Sequence, residues 1–239
     1  MIIFYRPLKP IAAISFDLDD TLYNNHPVIR HTAHSTHVFL QEYHPALAKV
    51  TPEQFQNEKN NVAEKDPEVC HDVSEWRRRA IEQLMYQAGL SADEANKGAM
   101  AVMAHFMVCR NQIQVPDETH RVLTALAQKV PLLAITNGNA QPEHFGLGHY
   151  FSFMLRAGPD GRAKPDAELF EYAASKTGLP CSSILHVGDD LTTDVAGAVR
   201  SGMQSCWFNP HQHSVMRCHD ARLLPDLTIS RLASLLTLL

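Results

Sequence analysis

Two kinds of hydrophobic pattern divide this chain. Short unbroken apolar runs, among them Ile11-Ala12-Ala13-Ile14, Leu132-Leu133-Ala134-Ile135 and Ile184-Leu185-His186-Val187, read as buried strands. The first extends in strand-like character over residues 11–22, and Ser205–Phe208 predicts a further short strand. Between about Pro27 and Arg110 such runs vanish and helical periodicity takes over. Helices are predicted over Val28–Tyr43, from Thr51-Pro52-Glu53, over Ser74–Ala88 with Ser74 as N-cap and Gly89 as stop, and from the capping box Ser91-Ala92-Asp93-Glu94 to about Val108. After Pro116 the elements alternate again: a helix over 117–129, a strand over 131–135, the strand Ser183–Val187, a helix over Thr192–Ser201 and a closing helix over Ser230–Leu238.

Strands alternating with helices predict an α/β fold, a Rossmann-like parallel sheet covered on both faces. The helical block then interrupts it after the first strand. The expected organisation is a core of residues 1–23 and 113–239 with a helical insertion over 24–112, hinged near Tyr23–Pro27 and Asn111–Pro116. The 239 residues, 45% hydrophobic and 20% charged, are ordinary for a globular protein. A net charge of -5 and a pI near 6.3 argue against general nucleic-acid binding. No apolar run approaches the roughly 20 residues of a membrane span, and the N-terminus lacks the form of a secretory leader. The expectation is a cytoplasmic protein with no obligate protein partner. Cys70, Cys109, Cys181, Cys206 and Cys218 are odd in number, scattered and without a C-x-x-C, so reduced thiols are expected.

The chemistry sits in four polar clusters: Asp17-Leu18-Asp19-Asp20-Thr21, Thr136-Asn137-Gly138, Lys164-Pro165-Asp166, and Gly188-Asp189-Asp190-Leu191-Thr192-Thr193-Asp194. Three of them directly follow predicted strands, and ligands of open parallel sheets bind outside the carboxyl ends of the strands. Residues two apart on extended backbone share a side, so Asp17 and Asp19 can face one space. Paired carboxylates attract protons and cations, and suit a hard metal ion, a carboxylate nucleophile and a neighbouring acid or base. Each cluster alone would pass for a turn, a solvated lysine or a helix cap. Asp190 and Asp194 divide evenly between capping the next helix and orienting Lys164 or a metal-bound water. His31, His34 and His37 lack a metal-ligand form, His211 and His213 read as loop, Gly146-Leu147-Gly148 lacks a third glycine, and Trp76 reads as helical core. Arg77, Arg78 and Arg79 cannot all point one way on a helix, leaving room for one to meet a substrate.

In this order the clusters resemble the D-x-D-x-T, T/S-N, K-P and G-D-x-x-x-x-D motifs of the haloacid dehalogenase superfamily of aspartyl phosphatases, over residues 16–194, and the helical insertion resembles that family's mobile cap. The resemblance implies a Mg²⁺-dependent phosphomonoesterase acting on a small phosphorylated metabolite. It implies Asp17 as nucleophile and Asp19 as acid, then base. Mg²⁺ would be held by the Asp17 carboxylate, the Asp19 backbone carbonyl and Asp189. The phosphate would be held around Asp17, Leu18 and Asp19 by Thr136, Asn137 and Lys164, the last offsetting the negative charge. Three rivals stay open. A hydrolytic dehalogenase has no use for a leaving-group acid at Asp19 or a metal-binding Asp189; a phosphomutase shares every motif; a phospho-accepting receiver module needs no helical insertion.

Overall fold

The computed structural model describes residues 1–219 and 221–239. It divides into two compact units, one of Met1–Asn24, Gln114–Gly138 and Pro142–Leu239, the other of Asn25–Ile113 with Asn139–Gln141.

The first unit is built on a seven-stranded sheet of β1 (Ile2–Phe4), β2 (Ala13–Phe16), β3 (Leu132–Thr136), β4 (Phe153–Arg156), β5 (Ile184–Gly188), β6 (Gln204–Phe208) and β7 (Leu227–Ile229), in the order β1-β7-β6-β5-β2-β3-β4. Neighbouring strands are parallel except β1, which lies antiparallel to β7 at the edge. Every residue of β2, β3 and β5 is buried. That explains their largely apolar composition, which only Ser15, Thr136 and His186 interrupt: a central parallel strand has no solvent face on which to alternate. Ala13, Leu133, Ile135, Leu155 and Ile184 pack with Leu169, Phe170 and Ala173 of the helix Glu168–Thr177. Gly178, at φ 68°, ends that helix in the left-handed conformation glycine tolerates. The chain passes from β2 outward to β3 and β4, then returns to β5 on the other side of β2. The strand order therefore reverses at β2, the point where such sheets open a crevice.

The second unit holds the helices His26–Tyr43, Pro52–Lys65, Val73–Gln87 and Ala92–Arg110. Leu40, Leu47, Ile81, Met85, Ala99 and Val102 form its main core. Gly98 lets the fourth helix come close, since a Cβ there would collide with Met85 and lie 2.7 Å from the Tyr43 ring. Capping boxes at Thr51–Gln54 and Ser91–Glu94 start the second and fourth helices, each such cap being worth about 1 kcal/mol. The third begins one residue before the expected Ser74: Asp72 is its cap, accepting from the amides of Ser74 and Glu75 at 3.0 Å each. An aspartate after the short Pro67–His71 turn outcompetes the serine two residues on. Asn139 Nδ2 donates to Ser74 Oγ at 2.9 Å, so that serine is a partner of the residues after β3 instead. The arginines separate by partner. Arg78 pairs with Glu75 and Glu82, Arg79 with Glu75 and Asp66, and Arg77 lies 4.3 Å over the Phe106 ring, where burial lowers its pKa to about 10. Trp76 donates from Nε1 to the Lys59 carbonyl at 2.7 Å, as a packed residue does.

Two other expectations change. Residues 232–237 form 3₁₀ turns instead of a closing α-helix, with Ser234 N on Arg231 O and Leu238 N on Leu235 O. The buried residues there, Leu232 and Leu235, are spaced by three, which suits a three-residue turn. The helix after β5 opens with a widened turn, Leu191–Val195, before α-helical Ala196–Arg200.

Candidate active site

Register aligns the motif residues. In the central strands Phe16 lies opposite Ala134 on one side and Val187 on the other. Asp17 is thus one residue past that line, and Thr136 and Asp189 are two past it. The Asp17 amide donates to Val187 O at 2.9 Å, which pins the first motif to β5. Beyond it Asp20 takes φ 58°, a left-handed turn that aspartate tolerates better than most residues. Thr21 Oγ1 then donates to Asp189 Oδ1 at 3.2 Å, Tyr23 OH donates to Asp19 Oδ1 at 2.7 Å, and Thr119 Oγ1 holds Leu22 O at 2.8 Å. Trp207 Nε1 on the Asp189 carbonyl, at 2.7 Å, fixes the fourth motif from β6.

At the centre is Lys164. Its ammonium has three protons and three acceptors: Asp17 Oδ1 at 2.7 Å, Ile135 O at 2.7 Å and Asp194 Oδ1 at 2.6 Å. The side chains of Lys164, Asp194 and Asp17 are only 1%, 3% and 10% exposed, so these charges interact in a desolvated setting where pairing counts far more than on a surface. Asn137 braces the lysine backbone on both sides, accepting from Lys164 N at 2.8 Å and donating from Nδ2 to Lys164 O at 2.9 Å. The Lys164–Pro165 peptide bond is cis. Thr136 Oγ1 accepts from Gly138 N at 3.0 Å.

The fourth motif resolves into two roles. Asp190 caps the widened turn, its Oδ1 accepting from Thr192 N and Thr193 N at 2.7 Å each. Asp194 reaches back inside, taking Lys164 and His186 on Oδ1 and the Asp190 amide on Oδ2 at 3.1 Å. Gly188 makes room for it, since a Cβ there would collide with the Asp194 carboxylate.

The acids share Lys164 unequally. Burial works against the Asp194 carboxylate, but Lys164 and His186 outweigh it and hold the group well below the usual carboxylate range. At Asp17 burial dominates; Lys164 opposes it and Asp194 and Asp19 reinforce it, so its proton affinity rises well above normal. Asp194 is the better hydrogen-bonded anion, with three donors on its oxygens, and is the ion partner of the lysine. Burial, then Asp194 and Asp20, push Asp189 up to about 7, Thr21 opposing. Oxygens of Asp17, Asp189 and Asp194 lie within 4.8 Å of one another. Asp194 already holds three donors, whereas Asp17 and Asp189 are acids whose proton affinity is raised first by burial and then by neighbouring carboxylates. Hard oxygen donors in that state fit a divalent ion such as Mg²⁺.

Asp17, Thr136, Asn137, Lys164 and Asp189 thus gather at the carboxyl edge of β2, β3 and β5, with Asp19 tethered by Tyr23. His186, Tyr23 and the bracing by the Asn137 side chain are additions of the structure; only the histidine inside an apolar strand was a signal in the sequence.

A family model for haloacid dehalogenase-like hydrolases matches residues 11–202. The chain belongs to the haloacid dehalogenase-like hydrolase family. A relative from Escherichia coli K12, the 5-amino-6-(5-phospho-D-ribitylamino)uracil phosphatase YigB, is 57% identical over 236 residues, 99% of each chain. The crystal structure of a 2-haloacid dehalogenase from Pseudomonas syringae superposes with TM-score 0.89 at 35% identity, covering 94% of this chain and 96% of that one. An HAD phosphatase from Thermococcus onnurineus shares the fold at TM-score 0.67 and 21% identity, over 95% of this chain and 97% of that one. Among the described residues no helix of this family member is long and apolar enough to cross a membrane.

Proposed function

We propose that this hydrolase is a Mg²⁺-dependent phosphomonoesterase that forms an aspartyl-phosphate on Asp17, and that its substrate is 5-amino-6-(5-phospho-D-ribitylamino)uracil, in riboflavin biosynthesis. The observation that carries the chemistry is the buried Asp17–Lys164–Asp194 bridge beside Asp189 at the carboxyl edge of the sheet. The substrate rests on the near-complete match to the Escherichia coli phosphatase. The division into a catalytic core and an inserted helical cap belongs to the same proposal, as does a cytoplasmic location.

In this reading an oxygen of Asp17 attacks phosphorus while the ester oxygen leaves with a proton from Asp19. Water then attacks the aspartyl-phosphate, Asp19 takes its proton, and inorganic phosphate leaves with Asp17 restored. The Tyr23 hydroxyl keeps Asp19 oriented for both transfers. Lys164 lowers the repulsion between two anions, and Thr136 with the Asn137 and Leu18 amides receives phosphate oxygens. Mg²⁺, held by the Asp17 and Asp189 carboxylates and the Asp19 carbonyl, would supply further neutralisation of phosphate charge.

The name of the Pseudomonas syringae structure favours a second reading, hydrolysis of a carbon–halogen bond. Halide leaves without a proton, so that chemistry gives Asp19 and its tyrosine tether no task. A release screen separates the two. Phosphate should appear from small phosphorylated metabolites, most rapidly from the ribitylaminouracil phosphate, and EDTA should abolish it. Halide release from 2-haloacids without phosphate release would reverse the assignment.

Metal binding should depend on pH. Asp189, pushed up to about 7, holds a proton near neutrality that the cation must displace. Below that value the affinity for Mg²⁺ should fall by up to about tenfold per pH unit for each proton released. Mg²⁺ titrations at pH 6, 7 and 8, read calorimetrically, check this; an affinity flat across the series would contradict it.

A further inference from the structure

His186 lies inside β5, in an apolar run where a leucine would fill the space without polar atoms to satisfy. It is 1% exposed, and both ring nitrogens are engaged. It stands directly opposite Ser15 in the parallel pairing of β2 and β5, and Ser15 Oγ is 2.9 Å from Nδ1. On the other side Nε2 is 3.3 Å from Asp194 Oδ1, the oxygen that also receives Lys164. The Phe170 ring stands perpendicular to the imidazole, with 5.0 Å between centroids. These contacts fix the tautomer. An ionised Asp194 only accepts, so Nε2 carries the hydrogen, and Nδ1 then accepts from the Ser15 hydroxyl. Burial is the main influence lowering the pKa of His186, opposed by Asp194 and reinforced by Lys164, which agrees with an uncharged ring.

We propose that His186 is a positioning residue for phosphoryl transfer: it donates to Asp194 and, backed by Ser15, holds that carboxylate where it keeps the Lys164 ammonium against Asp17. This rests on the phosphatase reading above. Without the imidazole, Asp194 Oδ1 would keep only the lysine and could turn, and Lys164 could follow it away from Asp17. The histidine touches neither substrate nor nucleophile, so its loss should act on turnover more than on substrate binding.

Two substitutions separate its contacts. In His186→Gln the amide nitrogen reaches about as far as Nε2 and can still donate to Asp194. In His186→Asn the shorter amide reaches only the Nδ1 position, keeping Ser15 and losing Asp194. With p-nitrophenyl phosphate, His186→Asn should lower kcat by about tenfold or more, the usual scale for losing a hydrogen bond to a buried charge. KM should stay within about threefold. His186→Gln should retain a clearly higher kcat than His186→Asn at similar melting temperature. Equal kcat in the two variants would overturn the proposal, as would a loss carried entirely in KM. ¹⁵N NMR of the unaltered protein provides a readout that needs no substitution: an Nε2–H neutral ring is expected, and an Nδ1–H tautomer or an imidazolium would overturn it. Asp17→Asn keeps the tests distinct. If that variant is inactive while both His186 variants match the parent, the positioning role fails and the phosphatase reading stands; if it is active, the phosphatase reading fails first.

Discussion

Asp17→Asn should reduce phosphate release by on the order of 10⁴-fold or more, the scale expected for removing a covalent nucleophile, and should leave the protein folded. The two halves have separate causes. Asparagine matches the shape of aspartate but cannot form the acyl phosphate, so no alternative route through the same geometry remains. Stability is spared because Lys164 keeps Asp194 and the Ile135 carbonyl as partners. The sign of a small stability change also follows. Burial raises Asp17 above the pKa it has in the unfolded chain, so its ionisation opposes folding increasingly as pH rises from about 4 towards its folded value. Removing it should leave the melting temperature unchanged or higher at pH 8. Phosphate release and thermal unfolding on the same preparation check both, and a substantially active Asp17→Asn enzyme would defeat the nucleophile assignment.

Lys164→Met should be damaging in both respects. The methionine fills most of the space but leaves two buried acids facing one another. Deleting one partner of a buried ion pair costs about 3–5 kcal/mol, and here one ammonium serves two carboxylates. The protein can reduce that cost by keeping a proton on one acid, which is easier at low pH. With the lysine gone both acids are raised above their unfolded values, so the destabilisation should deepen as pH rises above about 4. Turnover should fall by on the order of 10³-fold or more, since the same charge offsets repulsion between Asp17 and the incoming phosphate. Denaturant unfolding at pH 5 and pH 8 reads the first effect. A loss of stability equal at both would mean that the acids are not desolvated as described.

Much of this was legible in the sequence, and the reason is topological. Buried parallel strands are mostly apolar, so β2, β3 and β5 announced themselves, and the polar residues that follow them fall at one sheet edge. The helix starts at Thr51 and Ser91 were equally plain because cap signals are local, although the capping box at Thr51, completed by Gln54, was seen only in the structure. What escaped depends on distant partners or on spacing that two periodicities share. The three-residue β1 pairs with β7 from the opposite end of the chain, and neither has the length to show a pattern. Leu232 and Leu235 fit the first turn of an α-helix as well as a 3₁₀ turn. Ser74 and Asp72 are both good caps, and the choice falls to the turn before them. At the site, Asp190 and Asp194 are the same residue type four apart, and only the bend of the widened turn sends one to backbone amides and the other to Lys164. His186 looked like a strand residue, and its engagement with Ser15 and Asp194 becomes visible only once β5 lies beside β2.

The central claim is that phosphate resides covalently on one carboxylate before water removes it. With p-nitrophenyl phosphate, whose leaving group departs without needing the Asp19 proton, Asp19→Asn should chiefly slow the second half of that reaction, since no group then takes the proton of the attacking water. Rapid acid quenching of this variant during turnover, followed by peptide mass spectrometry, should find one phosphoryl group on the peptide that begins the first motif, fragmenting to Asp17. Phosphate release proceeding with no phosphorylated peptide, or with the group on any other residue, would contradict the account.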